Sequence, residues 1–409
     1  MADVLAPESA RWEALVATFA DLAQRAGFGL VITPLIEHAE VFQRVGESTD
    51  IVRKEMYDFT DKGGRHVAVR PEFTASVMRA FAEHRPPTPW KAWTVGPAFR
   101  YEQPQAGRFR QHFQFDVEIV GTDDPDADVE VIALLDGLHR GLGLTKRRLM
   151  LNSLGDPTSR PAYVDALRSY LDAHAADLSE QSRHTLAVNP LRVLDSKRRE
   201  DAPVIEAAPV MLDYLTSECE AHFERVRSGL SSLGIEYELA PRLVRGLDYY
   251  TRTAFEFPSL ALGSAQNAIG GGGRYDGLVE QLGGPAGTSG VGFGVGIERL
   301  LLACDAEGVF AAPSTTADVW VVDTSGGGHA LSIAHELRTA GISADRSYDG
   351  RSMKAQMKAA GRAARIAAIV GADETAAGTV TVRPLQGDGQ QTVVERDKLV
   401  PYIRELLSE

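Results

Sequence analysis

The most constraining stretch of the sequence is GFGVGIER (292–299), where Gly292, Gly294 and Gly296 take every second position of a strand-like run that passes into a helix. Side chains alternate across a strand, so one face of this strand carries none. Such a face leaves bare backbone against which a flat or bulky ligand can lie. A second glycine run, AIGGGGRYDG (268–277), precedes it. Neither run is a familiar nucleotide loop. A dinucleotide fingerprint needs GxGxxG early in a βαβ unit, and a P-loop needs GxxxxGK followed by Ser or Thr.

Around these runs the pattern is mixed. Trp12, Leu15, Val16, Phe19, Leu22 and Ala23 recur at helical spacing and predict a helix over 11–26. LVITPLIE (30–37) reads as a strand with Pro34 inside, which a strand tolerates only at an edge, a bulge or an end. Residues 54–81 read as two short strands, a 61–64 turn and a helix opening after Pro71. Residues 93–121 read as strand, loop, strand, and Pro125 starts the next helix. Residues 155–240 are mainly helical, and strand patterns resume over 242–258 and 268–273. GVFAAPSTTAD (308–318) has linker composition. Beyond it, a strand (319–324), a helix (329–340), a strand near Ile342, a helix over 352–365 and a strand (366–371) alternate as in a small α/β domain. A chain of 409 residues is long enough for two or three domains, and we divide it at 1–312 and 317–409.

Composition narrows the class of function. With 44% hydrophobic and 24% charged residues the chain is globular, and its apolar runs fall short of the ~18–20 residues of a membrane span. The start has no basic region before an apolar block, so no secretory signal is expected. Cys219 and Cys304 fit neither a disulfide framework nor a CxxC metal site, which points to a reducing, cytoplasmic setting. A net charge of −13 disfavours non-specific adhesion to nucleic acid or membrane. A local basic patch is still enough for a specific RNA partner. Arg346, Arg351, Lys354, Lys358, Arg362 and Arg365 form one, with only Asp345 and Asp349 among them. Lys354, Lys358, Arg362 and Arg365 are expected on one helix face, either simply solvated or contacting phosphates.

The chemistry-bearing residues cluster at strand ends. Arg100 ends a strand, Arg108 and Arg110 follow in its loop, Arg245 opens RGLDYY, and Arg299 starts a helix after the glycine strand. Arginine offers a permanently charged planar fork that pairs with phosphate. Gln114, Asp116 and Glu118 share one face of a strand, which is either solvated or a binding floor. No HExxH, paired Cys/His spacing or GxSxG supports a metalloenzyme or a serine hydrolase.

Five segments then stand in a recognisable order and spacing: RPEFT (70–74), GPAFRYEQPQAGRFRQ (96–111), LVRGLDYYTRTAFE (243–256), GGGGRYDGLVEQLGG (270–284) and GFGVGIERL (292–300). They resemble the class II aminoacyl-tRNA synthetases, specifically the histidyl-tRNA synthetase family, over nearly the whole chain. DGRSMKAQMKAAGRAAR (349–365) is similar to the start of that family's anticodon-binding helix. The resemblance implies an α+β fold: an antiparallel catalytic sheet flanked by helices, a helical insertion at about 155–240 and a C-terminal α/β anticodon-binding domain. It implies formation of histidyl-adenylate from L-histidine and ATP, with Mg2+ bridging the outgoing phosphates and no direct protein metal site, then transfer to the 3′ end of tRNA(His). A homodimer with its interface around Pro34 is also implied, and no membrane partner. By resemblance, Arg100 and Arg245 grip the α-phosphate, with Arg245 the catalytic electrophile. Arg299 holds the γ-phosphate and Arg108 lies near the triphosphate. Glu72, Thr74 and Gln114 bind the α-amino group, while Glu118 and Tyr250, with Tyr249 beside them, read the imidazole. Arg351, Lys354 and Lys358 contact tRNA.

Three departures stand out. Phe73 replaces the family's usual glycine and is expected to crowd the amino-acid pocket. The adenine-stacking position falls on His112, with Phe113 next to it. Gln103 stands where the family's loop has arginine, followed by Gln105, at positions that help read the extra 5′ guanosine of the tRNA. The family's N-terminal Arg-Gly-Thr segment has no counterpart here. The alternatives are a histidine-sensing paralogue, such as the regulatory subunit of ATP phosphoribosyltransferase, and a same-class synthetase for another amino acid. Such paralogues typically lose the catalytic arginine and the anticodon domain, and RGLDYY disfavours the second alternative.

Overall fold

The computed structural model describes every residue except 1–2, 47–50, 103–108, 197, 245–248, 264–266, 315, 327, 349, 387–388 and 409. The chain separates into two units, one of Met1–Asp3 and Arg11–Ala311, the other of Val4–Ala10 and Ala312–Glu409.

Strands of the first unit are β1 (Gly29–Leu30), β2 (Ile36–His38), β3 (Tyr57–Thr60), β4 (His66–Val69), β5 (Trp90–Phe99), β6 (Gln111–Val120), β7 (Met150–Ser153), β8 (Glu238–Leu239), β9 (Thr251–Pro258), β10 (Ala268–Arg274) and β11 (Gly290–Gly296). Eight form one sheet in the order β1-β5-β6-β11-β10-β9-β7-β8, and β2, β4 and β3 form a small second sheet. Every pairing in the large sheet is antiparallel except the two edge pairs, β1 with β5 and β7 with β8. This is the antiparallel, helix-flanked sheet expected from the sequence. Pro34 does more than interrupt a strand. The stretch expected as one strand over 30–37 is split into β1 and β2, which join different sheets, because proline gives no N–H to a ladder.

Strand β6 shows how the sheet separates core from pocket. Phe115, Val117 and Ile119 face one side, where Leu15, Phe19, Ile132, Leu135, Val226 and Leu300 from flanking helices complete the core. Gln114, Asp116 and Glu118 face the other side. The helix Pro125–Gly141, which backs this core, begins as its sequence suggests: Pro125 occupies its first turn, and the Asp124 side chain accepts the Asp126 N–H at 2.9 Å. The insertion contains the helices Arg160–Ala173, Glu180–Val188, Ala202–Ala207 and Ser217–Ser232. Its own core gathers Tyr163, Leu167, Leu171, Val193 and Met211. Buried Asp201 ties the joints together, accepting the Ser179 N–H at 2.7 Å and the hydroxyls of Ser179 and Ser182 at 3.0 and 2.6 Å.

In the second unit, β12 (Ala317–Asp323), β13 (Ala344–Arg346), β14 (Ala364–Val370), β15 (Thr379–Pro384) and β16 (Thr392–Glu395) lie in the order β13-β12-β14-β15-β16. Pairing is parallel through β13, β12 and β14 and antiparallel beyond, so the α/β alternation gives way to a hairpin. The helix expected over 352–365 ends at Ala363, because Ala364 is already extended and buried at the start of β14. Arg365 therefore leaves the basic helix face and lies 3.7 Å from Asp318. Lys354, Lys358 and Arg362 remain together, exposed.

Candidate active site

A cavity of about 310 Å3 opens on the polar face of β6, lined by Gln114 and Asp116 together with Glu72, Thr74, Arg100, Tyr249, Tyr250 and Arg299. The face expected to be either solvated or a binding floor is thus a floor: Asp116 and Glu118 are 4% and 1% exposed. The glycine strand explains how three large polar side chains fit there. Gly292, Gly294 and Gly296 stand directly opposite Glu118, Asp116 and Gln114 in the ladder. A Cβ at Gly292 would come within 1.9 Å of Glu118 Oε2, and one at Gly294 within 2.8 Å of Asp116 Oδ1. The bare face expected to receive a ligand first makes room for its neighbour's side chains, although Gly294 and Gly296 line the cavity as well.

Each wall has a local cause. Glu72 precedes the helix Thr74–His84, and its two oxygens accept the Thr74 and Ala75 N–H groups at 2.8 Å each, which fixes the carboxylate in place. Burial raises its pKa, opposed by those bonds and by Arg100. Arg100 follows β5 and donates from Nε to the Pro71 carbonyl at 2.9 Å. Arg299 lies in the first turn of the helix Ile297–Glu307 and donates to the Ala268 carbonyl at 3.2 Å. Neighbouring Glu298 accepts the Phe113 N–H at 3.1 Å.

Glu118 sits deeper. Burial pushes its pKa up to about 8, although hydrogen bonds from Tyr275 and Thr74 favour the charged form. The Tyr275 hydroxyl donates to Glu118 Oε2. The sequence reading did not single out Tyr275 as a site residue, although it belongs to the quoted GGRYDGL motif and its buried hydroxyl needed a partner. Its ring meets Tyr249 edge-on at 5.8 Å, and Tyr249 lies 4.6 Å from Tyr250.

The two departures on described residues resolve differently. His112 lines the cavity, whereas Phe113 points to the opposite face and packs edge-on against Trp12 at 5.1 Å. Phe113 is therefore not at the cavity, as period two along β6 requires. Burial, then Arg100, lowers the His112 pKa to about 3, so its ring stays neutral and flat near neutral pH. Phe73 does not line the cavity either. It is fully buried, with the Arg70 guanidinium 4.0 Å from its ring centroid, and a Cβ at Gly96 would come within 3.4 Å of its ring tip. The expected crowding of the pocket is absent because the aromatic ring turns toward β5. Gln103, Gln105, Arg108 and Arg245 lie outside the described residues. Arg351, Lys354 and Lys358 belong to the second unit, where all three are exposed.

Such a site suits a ligand with a cationic amine, a polar ring and an anionic tail: carboxyls and tyrosines lie along the sheet floor, and arginines lie at the strand and helix ends. Comparison with known proteins agrees. A family model described as histidyl-tRNA synthetase matches residues 1–300, and one described as anticodon binding domain matches residues 319–406. The histidine–tRNA ligase of Corynebacterium urealyticum is 48% identical over 413 residues, covering 99% of this chain and 96% of the relative. That of Geobacillus sp. is 45% identical, with 99% and 98% covered. The crystal structure of apo S. aureus histidyl-tRNA synthetase superposes with a TM-score of 0.83 at 34% identity, covering 99% of this chain and 98% of that one.

Proposed function

Because the chain belongs to the histidyl-tRNA synthetase family, we propose a division of labour among its residues for the reaction of that family. The chain is a class II histidine–tRNA ligase: it activates histidine with ATP to histidyl-adenylate and transfers the histidyl group to tRNA. The observation that carries the residue-level reading is the polar floor of β6, closed at one end by Tyr249 and Tyr275 and flanked elsewhere by Arg100 and Arg299.

In this reading Glu72, Thr74 and Gln114 bind the substrate's ammonium. Glu118, oriented by Tyr275, takes an imidazole N–H, and Tyr250 serves the other ring nitrogen beside Tyr249. A buried pocket of this kind rejects analogues because they leave its own polar groups unpaired. The carboxylate of histidine then attacks the α-phosphorus of ATP as pyrophosphate leaves. The protein's part is to align the two and to stabilise the charge that develops. Arg100 holds the α-phosphate, Arg299 the γ-phosphate, and His112 lies under the adenine. Arg245 as a second grip on the α-phosphate, Arg108 near the triphosphate, and Gln103 and Gln105 at the tRNA 5′ end rest on the resemblance alone. Magnesium fits the donor chemistry, since Glu256 and Glu298 place carboxylates on the cavity wall and this cation takes one or two carboxylates together with phosphates and water. When bound it would neutralise charge on the departing pyrophosphate. Residues 1–312 would carry this chemistry, and 317–409 would bind the anticodon arm, with Arg351, Lys354 and Lys358 contacting phosphates. We place the enzyme in the cytoplasm, where unpaired cysteines such as buried Cys219 and Cys304 stay reduced.

Exchange of pyrophosphate into ATP should occur with histidine alone among the amino acids, should not require tRNA, and should stop when magnesium is chelated. No exchange despite measurable histidine binding would favour the histidine-sensing paralogue.

The proposed homodimer has a surface to match. Leu30, Ile32, Leu35 and Ile36 surround Pro34 and are exposed, Ile32 by 85%. Exposed apolar patches of this kind mark interaction sites. Ile32→Asp is expected to turn a dimer into a monomer in sedimentation velocity while leaving the circular dichroism spectrum unchanged. A dimer that survives the substitution would move the interface elsewhere.

A further inference from the structure

Among the described residues, three oxygens along one face of β6 have no hydrogen-bond donor. Gln114 Oε1, Asp116 Oδ2 and Glu118 Oε1 are each buried without a partner among the described residues. Buried polar groups are nearly always paired, so such exceptions require an explanation. Gln114 and Glu118 have roles in the reading above. Asp116 has none, yet it lies between them, is 4% exposed and lines the same cavity.

The surroundings of Asp116 are unusual for a carboxyl group. Its ladder partners are Thr94 on β5 and Gly294 on β11, neither of them charged. The ionisable groups facing it are Glu118 on its own strand, Glu72 and Arg70 from the segment ahead of the helix Thr74–His84, and Arg100 after β5. Arg70 is engaged elsewhere, donating from Nε to the Pro97 carbonyl at 2.9 Å and from Nη1 to the Thr33 carbonyl at 3.1 Å.

We infer that Asp116 is a further histidine-binding residue, its unpaired oxygen accepting an N–H of the substrate's α-ammonium beside Gln114 and Glu72. This rests on the histidine–tRNA ligase reading. The ammonium is chosen over the ring for two reasons. It carries three N–H donors, and Asp116 adds a charged acceptor for them beside Glu72, Thr74 and Gln114, whereas the imidazole already has Glu118 and Tyr250. It also brings a full positive charge, which lets two neighbouring carboxyls ionise together. Burial first, then Glu118 and Glu72, hold the Asp116 pKa well above the usual carboxylate range, with Arg100 and Arg70 opposing. The empty pocket therefore favours the protonated form of Asp116. When the ammonium arrives the carboxylate forms, and the proton passes to solvent. Histidine binding is thus coupled to proton release and tightens as pH rises.

Titration calorimetry of histidine into the full chain at pH 7, in two buffers of different ionisation enthalpy, counts the protons released, and pyrophosphate exchange gives KM. The wild type should release protons. Asp116→Asn should release fewer and raise KM for histidine about ten- to hundredfold, the weight of a charge-assisted hydrogen bond, with KM for ATP unchanged. Imidazolepropionate, which lacks the ammonium, should bind both proteins equally; a loss of its affinity in the variant would overturn the assignment to the ammonium. Should Asp116→Asn fail to fold, Gly294→Ala displaces the same carboxyl, since its Cβ would stand 2.8 Å from Asp116 Oδ1; because it would also stand 3.3 Å from Gln114 Nε2, its readout includes proton release, which the Gln114 amide cannot supply. An unchanged histidine KM in the folded variant overturns the proposal, as does a wild type that binds histidine without releasing protons. A wild type that performs no histidine-dependent exchange at all would instead remove the ligase reading, a different and separable failure.

Discussion

Arg100→Ala is expected to lower histidine-dependent pyrophosphate exchange about 10²–10³-fold, the usual cost of removing one preorganised donor from a developing negative charge. The size follows from how the side chain is held. Arg100 leaves the end of β5, and its Nε is committed to the Pro71 carbonyl at 2.9 Å. That bond fixes the plane of the guanidinium before any ligand arrives. Nη1 and Nη2 are then the planar fork that a phosphate accepts. Nη1 lies 4.0 Å from Glu102 Oε1, a loose pairing that a phosphate can displace. Lysine is a flexible point charge without the fork, so Arg100→Lys should recover little of the loss. Histidine binding measured by calorimetry should persist in both variants, which separates lost chemistry from lost folding. Exchange near the wild-type rate in Arg100→Ala would shift the α-phosphate grip to Arg245.

Gly272→Ala should be the most damaging single methyl in the sheet. A Cβ there would stand 1.9 Å from the Gly292 carbonyl oxygen and 2.6 Å from the Phe293 Cα. Both are backbone atoms of β11, which lies between β6 and β10 in the sheet, so no rotamer change relieves the clash. The strands must part, and overpacking of this severity costs about 3 kcal/mol or more. We expect a fall in thermal melting temperature of many degrees, or failure to accumulate folded protein. Gly296→Ala is the matched control: nothing lies within 4 Å of its Cβ, so the fold should be unaffected. Equal melting temperatures for the two variants would contradict the close approach of β10 and β11.

The contrast between those glycines shows what the sequence can and cannot convey. Period two along 114–118 was legible and placed three polar groups on one face. Whether that face met water was not, because its burial comes from Glu72, Tyr249 and Tyr275, which arrive from distant segments. The glycine strand announced a missing face, but its register against β6 is what assigns each glycine to a particular side chain. Local backbone rules erred where tertiary pairing took over. Pro34 divides two sheets, and Arg365 is drawn from a helix onto β14. Phe73 turned toward Arg70 and β5, a choice between cavity and core that no spacing reveals. The quoted motifs located most of the pocket, yet Tyr275 was passed over because its hydroxyl acts on Glu118 from another strand end.

One strand, β6, supplies the apolar core on one side and the amino-acid floor on the other. A slip of one residue in its pairing would send Phe115, Val117 and Ile119 into the pocket and Gln114, Asp116 and Glu118 into the core. Stability and substrate recognition would then fail in the same molecule. A chain folded out of register has no pocket with which to choose a wrong amino acid. Folding errors of this kind reduce how much aminoacylated tRNA is made, but they do not corrupt its meaning.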